Sequence, residues 1–296
     1  MLSSQECVLG ALTTQEQEVI VRIAHCQAQE DLHTVWLELC MEYKPKAGIR
    51  FIRGAIAQMT NLWVPNKLKT KTHCEDWYRI NVLSALWDGA FIYETSYDTI
   101  RSECKLSYQQ YNDEANDRVD FIFRSKEDSS DWLFSEEKPA SASHKECLKD
   151  VWKLERMREQ TLSHWLKQCR GKEVLIEEFL EALAVQWHGT RATVYGTKVI
   201  FVERTIGPKP VFIHYVKARM EIPMRPYEGP GPFMSLGKCL AVALTLKREA
   251  MQQHNTFMLL KDAAITDEIQ LNDINLTLKD AEETFRSTYC QSTVME

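Results

Sequence analysis

Val119-Asp120-Phe121-Ile122-Phe123 and Trp132-Leu133-Phe134-Ser135-Glu136 are two short runs rich in aromatic and β-branched residues. The polar segment Ser125-Lys126-Glu127-Asp128-Ser129-Ser130 separates them. Runs of this kind on either side of a turn-forming stretch predict an antiparallel hairpin. Side chains alternate faces along a strand, so Glu136 and Lys138 project from the same side. If Asp120 stands opposite Glu136, Ile122 pairs with Phe134 and Arg124 with Trp132, leaving seven residues to turn the corner. Asp120, Glu136 and Lys138 then share one face, with opposed Cα atoms about 4.5–5.5 Å apart. Carboxylates at that spacing repel one another, and a divalent cation offsets the repulsion. Hard oxygen donors suit Mg2+ or Mn2+. Such an ion acts as a Lewis acid on a phosphoryl oxygen and lowers the pKa of a bound water. Lys138 would hold or help deprotonate that water and stabilise charge on the phosphate.

After the hairpin, Pro139 breaks the strand and Ser141-Ala142-Ser143 leads into a long helix, about residues 144–169. A second helix is expected over about 173–187. Strands follow over about 191–203 and 211–221, then a Pro- and Gly-rich loop to residue 232 and a helix over about 233–253. Before the hairpin, Trp77, Ile80, Leu83, Ser84 and Trp87 mark one face of an amphipathic helix over 75–93, and a strand is expected within 97–108. Residues 1–60 read as three helices, the first opened by a Thr13–Glu16 capping box, and a lysine-rich linker runs from Val64 to His73. The expected fold class is α+β: a small mixed sheet flanked by helices. The chain divides into a helical N-terminal region (1–70), an α/β core (71–225) and a C-terminal helical region (226–296).

Composition narrows the function classes. In 296 residues the nine cysteines are odd in number, scattered, and free of any C-x-x-C pair, which argues against a disulfide framework and against a zinc finger. Neither a signal peptide nor a run of ~18 apolar residues is evident. An intracellular location, cytoplasmic or nuclear, with no membrane partner, is the expectation. Net charge is −6, yet Lys44, Lys46, Arg50, Arg53, Lys67, Lys69 and Lys71 fall in a stretch without an acidic residue. That stretch is a candidate nucleic-acid contact, because an electrostatic footprint is local. The helix around Lys149, Lys153, Arg156 and Arg158 interleaves with Asp150, Glu155 and Glu159 and reads as a salt-bridged surface face. His144, His164 and His214 stand too far apart in sequence to suggest a metal cluster. Gly229-Pro230-Gly231-Pro232 lacks the Gly-Lys-Ser/Thr of a phosphate-binding loop.

Asp120, a gap of fifteen residues, then Glu136-Glu137-Lys138 resembles the Asp…(Asp/Glu)-x-Lys signature of the PD-(D/E)XK, or restriction-endonuclease-like, nuclease superfamily. The order of elements from about residue 75 to 220 is similar too, and the layout resembles that of uncharacterised fungal proteins. The resemblance implies a metal-dependent phosphodiesterase acting on DNA or RNA, with Asp120 and Glu136 as Mg2+ or Mn2+ ligands and Lys138 as the catalytic lysine. It also implies accessory positions at Glu75 (or Asp76) and at Gln160. Val119 stands where the family's name places proline. Glu42-Tyr43-Lys44 and Glu103-Cys104-Lys105 repeat Glu-x-Lys without a preceding strand carrying an aspartate. The alternatives are a restriction-endonuclease-like scaffold without activity, and a helical interaction protein whose sheet only supports its helices. In the last, Asp120 and Glu136 are free to point apart into solvent.

Overall fold

The computed structural model describes residues 12–42, 44–69, 73–109, 117–202, 209–225 and 231–265. The helices are α1 (Thr14–His25), α2 (Gln29–Met41), α3 (Ala47–Trp63), α4 (residues 75–91), α5 (His144–Gln168), α6 (Glu173–Phe179) and α7 (Pro232–Ile265). Within α4, short α-helical turns flank a π-helical stretch, Arg79–Asp88. The strands are β1 (Tyr97–Cys104), β2 (Val119–Ser125), β3 (Asp131–Lys138), β4 (Ala182–His188), β5 (Arg191–Val202) and β6 (Lys209–Glu221). They form one mixed sheet in chain order. All neighbours are antiparallel except β3 and β4, which run parallel and need the crossover that α5 and α6 provide.

Side-chain alternation divides the sheet. Phe121, Phe123, Leu133, Val185 and Trp187 face Trp87 and Phe91 of α4 in an aromatic layer with ring centroids 5.0–5.8 Å apart. Ile122, Phe134 and Ala184 face the other way, onto Leu154 and Met157 of α5. The first layer continues without a break from Leu12 to Ala263, so the N- and C-terminal helical regions share a core with the sheet. Glu16 of the capping box is buried and takes two bonds from Arg248 of α7, at 2.6 and 2.7 Å. Gly48 makes room for that pair: a Cβ there would stand 1.7 Å from Glu16 Oε1.

The structure corrects several sequence expectations. The helix expected over 173–187 ends at Phe179, and residues 182–188 form β4. Ala182-Leu183-Ala184-Val185 is apolar throughout because β4 is central and buried on both faces, and such a run carries no period-two signal to separate strand from helix. A bulge after Phe123 sets Arg124 opposite Asp131 rather than Trp132. The bulge lets the buried Asp131 take the Arg124 Nε–H at 2.6 Å. The last helix runs to Ile265, well past the expected end.

Among the described residues no helix is long and apolar enough to cross a membrane. Cys26, Cys40, Cys74, Cys104, Cys147, Cys169 and Cys239 are all unpaired; Cys7 and Cys290 lie outside the described residues. Unreduced, denatured protein should therefore titrate with at least seven thiols, and a lower count would contradict the free-thiol assignment.

Candidate active site at the ends of β2 and β3

The first residues of β2 and the last of β3 meet where the ladder, Ile122 to Phe134 and Phe121 to Ser135, runs on toward Asp120 and Glu136. There a side chain replaces the backbone partner: the Glu137 N–H donates to Asp120 Oδ2 at 2.8 Å. Asp120, Glu136 and Glu137 are only 5%, 2% and 2% exposed. These are not the solvated charges of an ordinary hairpin edge, and they do not point apart into solvent. Burying a carboxylate is expensive unless partners hold it, and three elements supply partners.

From α4, Arg79 donates to Asp120 Oδ1 at 3.1 Å, Glu137 Oε2 at 3.2 Å and Glu75 Oε1 at 2.8 Å. From α5, Lys153 Nζ stands 2.5 Å from Glu136 Oε1. This is a buried, charge-assisted ion pair that acts to lower the Glu136 pKa. Asp150, also on α5 and buried, faces Lys138 with Oδ2 3.7 Å from Nζ, and Glu75 Oε2 is 3.9 Å from the same Nζ. Glu75, Asp120, Glu136 and Asp150 therefore gather around Lys138. Glu137 alternates to the opposite face, where it pairs with Arg101, which in turn pairs with Asp88.

The electrostatics follow from crowding. Desolvation is the largest influence on Glu136; with Asp120 and Asp150 it outweighs Lys153 and pushes the carboxyl up to about 8. Desolvation also raises Asp150 and Glu75, each with Asp120 adding repulsion. For Lys138 desolvation acts downward, but Asp150, Glu136, Glu75 and Asp120 overcome it and raise its pKa above the ordinary lysine value. Lys138 thus holds its proton at neutral pH. In this arrangement Lys138 is a fixed cation and donor among the carboxylates.

Of the other expected residues, Glu75 joins the cluster, while Asp76 is exposed and only tethers Arg79 at 3.3 Å. Gln160 does not join. It lies further along α5, where Oε1 accepts from Gln109 Nε2 at 3.2 Å and Tyr108 Oη at 3.4 Å. Of the basic stretch, Lys67 comes near the Glu75 end of α4, its carbonyl 2.7 Å from Nε2 of His73, two residues before Glu75. Lys44 and Lys46 are exposed just before α3, and Arg50 bonds the Pro45 carbonyl and lies over the Tyr93 ring, beyond the end of α4 opposite Glu75. Arg53 follows one turn later, and Lys67 is exposed in the turn after α3. The Lys69 side chain and Lys71 lie outside the described residues.

Sequence reasoning missed Arg79, Asp150 and Lys153. The two α5 residues were read as a surface face, yet their spacing of three puts both on the turn facing the end of β3. A cavity of about 470 Å3 lies at the opposite, turn end of the hairpin, lined by Asp128, Ser130, Asp131, Tyr108 and His164. The charged cluster is not part of it.

No family model, no curated protein and no solved structure matches the chain.

Proposed function

We infer that this chain is a metal-dependent phosphodiesterase with a restriction-endonuclease-like core, acting on nucleic acid. The observation that carries the reading is four crowded carboxylates, Glu75, Asp120, Glu136 and Asp150, drawn around one lysine at the ends of adjacent strands. Perturbed titratable groups concentrated in this way are a mark of functional sites. The order α4-β1-β2-β3-α5-β4 supports the reading, being the order that accompanies the signature.

The donor set fits Mg2+ or Mn2+. All candidate ligands are hard oxygens, and Glu136 and Asp150 are buried carboxylates whose nearest cations, Lys153 and Lys138, come from side chains at 2.5 and 3.7 Å. Glu136 and Asp120 would hold the ion, with Asp150 beside them. When bound, the ion supplies Lewis acidity toward a phosphoryl oxygen and a more acidic water. The chain's own groups do the positioning. Arg79 and the Glu137 N–H fix both oxygens of Asp120. Lys138, kept protonated, donates toward the phosphate and offsets the charge that builds there. Beside the cluster, Lys145, Lys149 and Trp152 line an exposed stripe of α5 at helical spacing, with Trp152 62% exposed; Arg156, on the same stripe, is held by Asp117. Cations for phosphates and an indole for base stacking are the combination that holds single-stranded nucleic acid.

A second reading, the scaffold without activity, draws on one observation. Arg79 and Lys153 already stand on Asp120 and Glu136, where a metal would otherwise balance their charge.

Purified protein with Mg2+ or Mn2+ should cleave single- or double-stranded DNA or RNA oligonucleotides. Asp120→Asn should lose that activity together with Mg2+ affinity, and Lys138→Ala should lose about 10²-fold in rate with Mg2+ binding intact, the scale of removing a positioned proton-transfer or donor group. No cleavage of any of these substrates by the unmodified protein supports the inactive scaffold. Cleavage that persists in both variants removes this cluster as the site.

A further inference from the structure

On the outer side of α5, Glu155 and Glu159 are one helical turn apart and project beside His214 of β6. His214 Nε2 is 2.9 Å from Glu159 Oε1 and 3.5 Å from Glu155 Oε1, and the three ligand atoms all lie within 4.8 Å of one another. Ligands around a tetrahedral zinc, at bonds of about 2.0–2.1 Å, stand roughly 3.4 Å apart. The cluster is already close to that spacing. The imidazole is also held from behind. His214 Nδ1 is 2.9 Å from Thr197 Oγ1, and Thr197 is fully buried and takes the Nε–H of the buried Arg158 at 2.7 Å. A ligating histidine has its other ring nitrogen fixed in this way, which sets the tautomer and the ring plane. All three ligands are partly exposed, so an ion has access from solvent.

We propose that Glu155, Glu159 and His214 form a second metal site, separate from the cluster around Lys138, that takes a borderline divalent cation of the Zn2+ class and clips α5 to the β5–β6 hairpin. An imidazole with two carboxylates favours Zn2+ over Mg2+, which prefers oxygen ligands and retains its waters. Three protein ligands leave the fourth position to water. The structure corrects the reading of His214 as isolated: the two glutamates lie 55 and 59 residues before it in sequence and reach it only through packing of α5 against the sheet.

The test is calorimetric titration of chelator-treated full-length protein with Zn2+ in the presence of excess Mg2+, with a melting curve at each end point. The expected result is one Zn2+ equivalent that His214→Ala removes, with affinity down about 100-fold or more. Glu159→Gln should weaken it by about 10-fold or more and Asp120→Asn should leave it unchanged. Co2+ should give a visible absorption band that His214→Ala abolishes and Glu159→Gln weakens. Glu159 is at the surface, so its variant reports even if His214→Ala fails to fold. If Zn2+ uptake is absent, or is the same in Glu159→Gln as in the parent, the three residues are a histidine–glutamate ion pair only and the proposal is overturned.

Discussion

Glu136→Gln is expected to abolish metal-dependent cleavage and, in the same molecule, to raise the melting temperature. The activity loss, about 10³-fold, falls in the range seen when a positioned catalytic group is removed, because Gln keeps the shape and loses the anionic oxygen. The stability gain has a separate origin. Glu136 is buried among Asp120 and Asp150, and desolvation leads the effects that lift its pKa from 4.5 to about 8. A carboxyl whose pKa is raised by folding binds its proton more tightly in the native state. Its stabilising contribution is therefore complete below about pH 4.5 and is lost as pH rises toward 8. Gln carries no such pH dependence. The advantage of the variant should be small at pH 5 and grow to about 0.5–2 kcal/mol at pH 8, the usual return from relieving a strained functional site. Calorimetric melts at the two pH values measure it directly. A variant that melts below the parent at pH 8 would show that the contact with Lys153 outweighs the crowding and that Glu136 serves the fold.

Glu137→Ala should have the largest effect on stability of any single change at the site. From the sequence Glu137 is a convenient inert control, since it alternates to the face away from the cluster. The structure gives it a different role. It is 2% exposed, pairs with Arg101 and takes the Arg79 Nε–H at 3.2 Å, while Arg101 lies over the Phe121 ring and pairs with Asp88. Removing one member of a buried ion pair leaves its partner uncompensated, at a cost of about 3 kcal/mol or more. For a chain of this size that is a fall of roughly 6–12 °C in melting temperature. Because Arg79 also orients Asp120, Mg2+ affinity should fall as well. Glu137→Ala combined with Arg101→Met should recover part of the lost stability, since it removes the stranded charge. A single variant that melts within a degree of the parent would place Glu137 outside the network.

The hairpin was legible because β2 and β3 carry strong strand formers around a polar turn, and because one aspartate and one Glu-x-Lys fall on a common parity. The α+β class followed from the alternation of such runs with helical stripes. β4 was not legible: buried on both faces, its residues have the same reason to be apolar whatever their local geometry. Arg79 and Lys153 were hidden for another reason. A cation's place in a sequence does not say whether its long side chain reaches water or turns inward, and only the packing of α4 and α5 against the strand ends decides it. The same holds for His214, whose partners lie on a distant helix.

Strand order in the sheet repeats strand order in the chain, so each strand emerging from the ribosome finds its neighbour already made. α1 and α7 have no such convenience. α1 is completed within the first 25 residues, but it packs along α7, and Glu16 waits for Arg248, 232 residues later. At about 5–20 residues per second, that is a wait of roughly 12–46 s during which an apolar helix face and an acidic group built for a dry interior remain in water. The sealing of α1 therefore waits on the synthesis of α7, and a nascent chain that stalls before α7 is an unsealed one, however complete its sheet.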